Sequence, residues 1–145
     1  MKKALVLTCL LVGAAVLGAC RSASAGNSGL TGVVWQWTSM EETVPASQNV
    51  VPDPENYTIT FNEGGTIDVK ADCNMGSGKY QQDGSSLTIT VQTMTMAYCG
   101  DASADQVYLG ALAKVASYEI QGGELTLSFA SDAGQMHFQN GGAAG

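Results

Sequence analysis

The groups in this chain able to do chemistry are one histidine, scattered carboxylates, four cysteines and six methionines. His137 stands between Met136 and Phe138 in an alternating stretch, so its ring is expected on the opposite, outer face of the strand. General acid–base work needs such a ring, or a pair of carboxylates, held in a cleft. Asp68 and Asp72 instead alternate with the apolar row Ile67, Val69 and Ala71, which places them on the solvated side. No Gly-x-Ser-x-Gly elbow, phosphate loop or His-Glu-x-x-His occurs, and the chain is expected not to be an enzyme, with no catalytic residues. Met94-Thr95-Met96 sets two thioethers on one face of an extended segment, with Met75, Met136 and His137 elsewhere. Soft sulfur favours Cu(I), but methionine also fills irregular cores. No metal site is assigned, and periplasmic Cu(I) binding through methionine stays a minor alternative.

The cysteines divide by position. Met1-Lys2-Lys3 is followed by an uncharged apolar run over residues 4–19, the layout of a secretory signal. The run falls short of the about 20 residues of a membrane span. Leu17-Gly18-Ala19-Cys20 resembles the bacterial lipobox, in which the thiol takes a diacylglycerol, the chain is cut before it and the new amine is acylated with palmitate. Residues 1–19 are therefore expected to be removed and Cys20 to carry a covalent lipid, the only cofactor-like group expected. Each buried methylene contributes about 0.8 kcal/mol, so several acyl chains hold a protein stably at a membrane. Arg21 follows, where an inner-membrane retention signal typically has Asp, so in a Gram-negative cell the expected place is the outer membrane, facing the periplasm. Cys9 leaves with the signal, and Cys73 and Cys99 remain as one pair. In an oxidising compartment that pair is expected to form a disulfide. Closing a loop of about 27 residues would contribute roughly 3–4 kcal/mol.

Without residues 1–19 the chain keeps 126 residues, enough for one domain with one core. Arg21, Lys70, Lys79 and Lys114 face thirteen acids, a net charge of −9. That excess argues against nucleic acid as a partner and against electrostatic binding to anionic lipid. The expected partners are the membrane, through the lipid, and another protein of the envelope.

The elements that must position these groups are mostly strands. Residues 20–29 are small and polar, a flexible tether, and residues 140–145 read as a frayed tail. Between them period-two patterning dominates. Val33, Trp35 and Trp37 open a first strand. Residues 40–55, with Pro45, Pro52 and Pro54, read as an irregular surface loop. Tyr57, Ile59 and Phe61 share a face, Asn62-Glu63-Gly64-Gly65 turns the chain, and Ile67, Val69, Ala71 and Cys73 return inward, so the disulfide is expected to enter the core. Residues 74–78 read as a loop and residues 79–82 as a short strand. Asp83-Gly84 signals a hairpin into Leu87, Ile89 and Val91. Tyr118 and Ile120 turn at Gly122-Gly123 into Leu125, Leu127 and Phe129, and Asp132-Ala133-Gly134 turns into Met136 and Phe138. One segment has helical spacing: Tyr108, Leu112 and Val115 follow Ser103 and Gln106, read as a capping box opening a helix of about three turns. The expected fold is α+β and predominantly antiparallel β, a curled, barrel-like sheet with one helix packed against it.

This order of motifs resembles the META domain, the HslJ-like family of bacterial envelope proteins. The match runs through Gly32-Val33-Val34-Trp35, the Gly64-Gly65 turn, Asp72-Cys73-Asn74, Gly78-Lys79-Tyr80, and Thr93, Thr95, Met96 and Cys99. It covers residues 30–139, and its departures are Asp72, where the family usually has Gly, and the added aromatic Tyr98. The resemblance implies a compact antiparallel sheet with one helix. It gives Trp35, Asn74, Gly78, Tyr80, Thr95 and Met96 structural roles, and it implies a link to envelope stress in some members. It supplies no ligand and no catalytic residue. The function expected is a noncatalytic envelope lipoprotein with an interaction or structural role. The alternative is an inhibitor of a secreted protease, with the loop at residues 40–55 as its natural probe.

Overall fold

Strands with apolar inward rows bury them against another layer or by curling the sheet on itself, and here the curl closes completely. The computed structural model describes residues 29–145; the expected signal segment, the expected lipid site at Cys20 and the expected tether up to residue 28 lie outside the described residues. Nine strands are present among them: β1 (Val33–Thr43), β2 (Ala46–Val50), β3 (Tyr57–Asn62), β4 (Thr66–Ala71), β5 (Asn74–Asp83), β6 (Ser86–Met94), β7 (Val115–Gln121), β8 (Glu124–Phe129) and β9 (Gly134–Ala143). The helix α1 (Asp105–Leu112) lies between β6 and β7 in the chain. Each strand pairs antiparallel with its neighbour in the order β2-β1-β3-β4-β5-β6-β7-β8-β9, and β1 also pairs with β9. Eight strands thus form a closed barrel, a size whose interior side chains can fill. β2 stands outside the ring, paired with the C-terminal half of β1 from Ser39↔Val50 to Thr43↔Ala46.

The alternating rows carry the core as expected. Ile59, Phe61, Ile67, Ala71, Leu125, Leu127 and Met136 are fully buried, with Trp35, Val69, Leu87 and Phe138 nearly so. A bulge between Trp37 and Ser39 resets the period of β1, so that Trp35, Trp37 and Met40 all face inward. The weakest seam is β6 to β7, with one ladder pair, Ser86↔Ser117. Below that seam α1 plugs the end of the barrel with Tyr108, Ala111 and Leu112. The Tyr108 ring stacks on Trp37 at 5.1 Å and meets Tyr57 edge-on at 5.8 Å. At the other rim Leu30 is buried, and its carbonyl accepts the Trp35 indole N–H at 2.9 Å. The two described ends meet on that rim, where Ala144 N–H donates to the Gly32 carbonyl at 3.0 Å.

Five expectations are corrected. Residues 40–55 are not an irregular loop: β1 runs on to Thr43, turns at Val44-Pro45 and returns as β2 before a short 3-10 turn at Pro54–Asn56. All of β2 is exposed, so it shows no apolar alternation, and Pro45 sits in the turn, where the ladder needs no N–H. Residues 74–78 are not a loop but the first half of β5. Their glycines read as turn signals, yet a Cβ at Gly78 would collide with the backbone of Thr90 on β6, and one at Gly76 with that of Thr93.

Cys73 does not face the core; it is exposed. Asp72 has φ 58° and, with Cys73, makes the two-residue turn between the paired Ala71 and Asn74, so the inward position passes to Asn74. The left-handed conformation explains why Asp is tolerated where the family has Gly. The helix is shorter than expected, Asp105–Leu112, with Ala104 at its N-cap and no side-chain cap. Ser103 Oγ accepts only the nearby Asp105 N–H at 3.3 Å, and Val115 opens β7 instead of ending the helix. Residues 140–143 are not a frayed tail: β9 extends through them, with Ala143 opposite Val33.

Candidate interaction site

The helix-capped end of the barrel gathers the features that the core does not explain. Apart from tyrosines and tryptophans, Asn74 is the one buried side chain with polar atoms among the described residues, 3% exposed, and every hydrogen-bonding position of its amide is used. Its Oδ1 accepts the Ala97 N–H at 2.8 Å and the Thr95 hydroxyl at 3.0 Å. Its Nδ2 donates to the Ala97 carbonyl at 3.0 Å, with Cys99 Sγ at 3.2 Å and Asp105 Oδ2 at 3.5 Å. Burial of a primary amide is affordable only with such complete pairing. Thr95 extends the grip: its N–H donates to the Met75 carbonyl at 3.0 Å, and its hydroxyl accepts the Met75 N–H at 3.0 Å. The Cys73–Cys99 disulfide, with Cα atoms 5.6 Å apart, straps the far side of the same segment.

Residues 95–100 have no regular secondary structure, yet their backbone is fixed at both ends. What they display outward is apolar. Met96 is 86% exposed and Tyr98 79% exposed. The Tyr98 hydroxyl donates to the Asp101 carboxylate, a bond that favours the neutral phenol and, with a lesser effect of burial, raises its pKa. Next to the segment lies a cleft of about 400 Å³, lined by Val50, Val51, Pro52, Tyr57, Asp72 and Val107 among others. The Tyr57 hydroxyl joins its two walls, accepting the Ala104 N–H at 2.9 Å and donating to Asp72 Oδ2 at 3.4 Å. Asp53 also lines it, so the cleft mixes apolar surface with negative charge.

The other residues singled out in the sequence lie apart. Trp35 is core, Gly78 marks the close approach of β5 to β6, and Tyr80 packs edge-on against Phe61 at 5.1 Å. Burial chiefly, then the neighbouring Tyr118 and Glu63, raises the Tyr80 pKa. His137 is half-buried on the outer side of β9, its Nδ1 3.4 Å from the Thr126 hydroxyl. Met136 is enclosed in the core and Met75 is exposed, whereas Met94 and Met96 line one small hollow beside Asn74. Among the described residues no group of three or more His, Cys, Asp or Glu is placed to hold a metal ion, and no helix is long and apolar enough to cross a membrane. Asn74, Thr95 and Met96 come together with the disulfide. Sequence reasoning missed Tyr57 as the link across the cleft, because its place in an apolar row signals only burial.

A family model described as the META domain matches residues 28–141. Among solved structures, a DUF4847 family protein from Bacteroides vulgatus ATCC 8482 superposes with a TM-score of 0.61 at 14% identity, over 76% of this chain and 93% of that one. A protein from Burkholderia xenovorans, solved by NMR, gives a TM-score of 0.56 at 16% identity, over 77% of this chain and 83% of that one. At such identities the likeness is one of fold. No curated protein matches the chain.

Proposed function

The chain belongs to the META domain family, and from that premise we propose that it is a noncatalytic cell-envelope lipoprotein whose domain binds another envelope component at its helix-capped end. The observation that carries this reading is the exposure of Met96 and Tyr98, 86% and 79%, on a backbone held by Asn74 and the disulfide. Large apolar side chains left in water on a rigid segment favour a partner that covers them, since little ordering entropy is lost on binding. Lipidation at Cys20 would keep the domain at the outer membrane, facing the periplasm in a Gram-negative cell. A role under envelope stress fits a surface-held binding module. Interaction is preferred over Cu(I) binding because Met136 is enclosed in the core and Met75 is exposed, which leaves only the two thioethers of Met94 and Met96 beside one hollow.

The test is capture from detergent-solubilised envelopes with the lipidated chain and with its Met96→Asp, Tyr98→Asp variant. A partner held by the first and lost by the second supports the reading; identical capture by both overturns it. Palmitate labelling of the wild type and of Cys20→Ser checks the anchor separately.

A further inference from the structure

We propose that residues 95–99 are a peptidase-inhibitory loop, taken as an extended segment by a secreted serine or cysteine endopeptidase whose primary pocket accepts a large apolar side chain. The inference rests on the interaction reading of this same end and names the partner's class. It also moves the inhibitory probe from the hairpin at residues 40–55 to the strapped segment. Endopeptidases bind their substrates as extended strands, and Thr95-Met96-Ala97-Tyr98 is an irregular segment already fixed in place. Met96, 86% exposed, is the side chain offered to the pocket.

The bonds around Met96–Ala97 give the loop a reason to resist hydrolysis. Attack by the peptidase's nucleophile on the Met96 carbonyl would form an acyl-enzyme and release Ala97 as an amine, the nucleophile's proton passing through the enzyme's base to that amine. In an ordinary substrate the amine diffuses away and water takes its place. Here the Ala97 nitrogen is held by Asn74 Oδ1 at 2.8 Å and the Ala97 carbonyl by Asn74 Nδ2 at 3.0 Å. On the acyl side, Thr95 is tied to Met75 by two bonds of 3.0 Å. Asn74 and Met75 are adjacent on β5, so one rigid strand grips both sides of the bond. The amine stays beside the acyl carbon and re-forms the peptide, returning its proton and freeing the nucleophile. The Cys73–Cys99 link keeps the C-terminal side attached after a cut. High local concentration makes religation outrun hydrolysis.

The experiment titrates the lipidated chain in detergent micelles against chymotrypsin, subtilisin and, as a control, trypsin, following hydrolysis of a small ester. Loss of chymotrypsin or subtilisin activity at one-to-one stoichiometry is expected, with trypsin untouched and the chain largely intact by mass. Met96→Asp, whose side chain lies in solvent, is expected to weaken inhibition by about a hundredfold, the loss typical of a central anchor, with unchanged thermal unfolding. Asn74→Ala is expected to turn the loop into a substrate cut at Met96–Ala97. Chain cut beforehand at that bond should regain it on incubation with catalytic peptidase. Rapid cutting of wild type without inhibition, or no inhibition of either apolar-pocket enzyme, overturns the proposal. If envelope capture survives that result, the interaction reading stands alone; inhibition without envelope capture would leave only the loop.

Discussion

The side chain of Asn74 binds Ala97 as a neighbouring strand would, accepting its N–H at 2.8 Å and donating to its carbonyl at 3.0 Å. A side-chain amide thereby continues the β5–β6 ladder beyond Met94, where the backbone of β6 ends. Asn74 thus holds this end of the barrel together with the Thr95–Met75 bonds and the disulfide.

Replacing Asn74 by Ala removes the hydrogen bonds to Thr95 and to both backbone atoms of Ala97. At about 1 kcal/mol each, the loss is expected near 3 kcal/mol in urea unfolding. The Ala97 amide should also exchange with solvent far faster, while amides of β8 and β9 keep their relative protection.

Tyr108 makes the opposite prediction. Its ring is stacked on Trp37 in the core, but its buried hydroxyl has no hydrogen-bond partner among the described residues. Removing an unpaired buried hydroxyl relieves a desolvation penalty of about 1–3 kcal/mol, so Tyr108→Phe is expected to be neutral or stabilising. Burial also holds the Tyr108 pKa well above 10.0. Above pH 10 the unfolded chain ionises this phenol and the folded chain does not, so folding stability falls as pH rises. Tyr108→Phe should flatten that alkaline loss in thermal melts at pH 9 to 11.

Two glycine substitutions separate close approach from propensity. Gly78→Ala would drive a Cβ into the Thr90 backbone and should destabilise by about 3 kcal/mol, the upper range for overpacking. Gly110, in α1, has open space where a Cβ would stand, so Gly110→Ala should stabilise by about 0.5–1 kcal/mol. Equal shifts in the two melting temperatures would contradict the account.

Reducing the Cys73–Cys99 bond, or replacing both residues by Ser, should lower stability by about 3 kcal/mol for a closed loop of this length. Because the bond lies at the surface, the barrel core should remain folded, with exchange rising first in residues 95–104. Intact mass before and after reduction checks the bond itself.

The barrel was legible wherever one face is buried and the other wet: Tyr57, Ile59 and Phe61 in β3 and Leu125, Leu127 and Phe129 in β8 announce their faces. β2 was illegible because both its faces are exposed. The first half of β5 was hidden because Gly76 and Gly78 answer to a strand alongside, not to a turn. Alternation carried past Ala71 points Cys73 inward, and only the left-handed Asp72 stops it. Number alone leaves Cys73 and Cys99 as the pair beyond the leading segment, and the two are joined. The role of Asn74 was out of reach, since its partners lie more than 20 positions away.

The pairing of Gly32 with Ala144 gives the domain a direction. Both described ends leave from one rim, and the strap, the cleft and α1 occupy the opposite mouth, the length of the strands away. A lipid on Cys20 would hold the molecule by its back, with Met96 and Tyr98 aimed into the aqueous space.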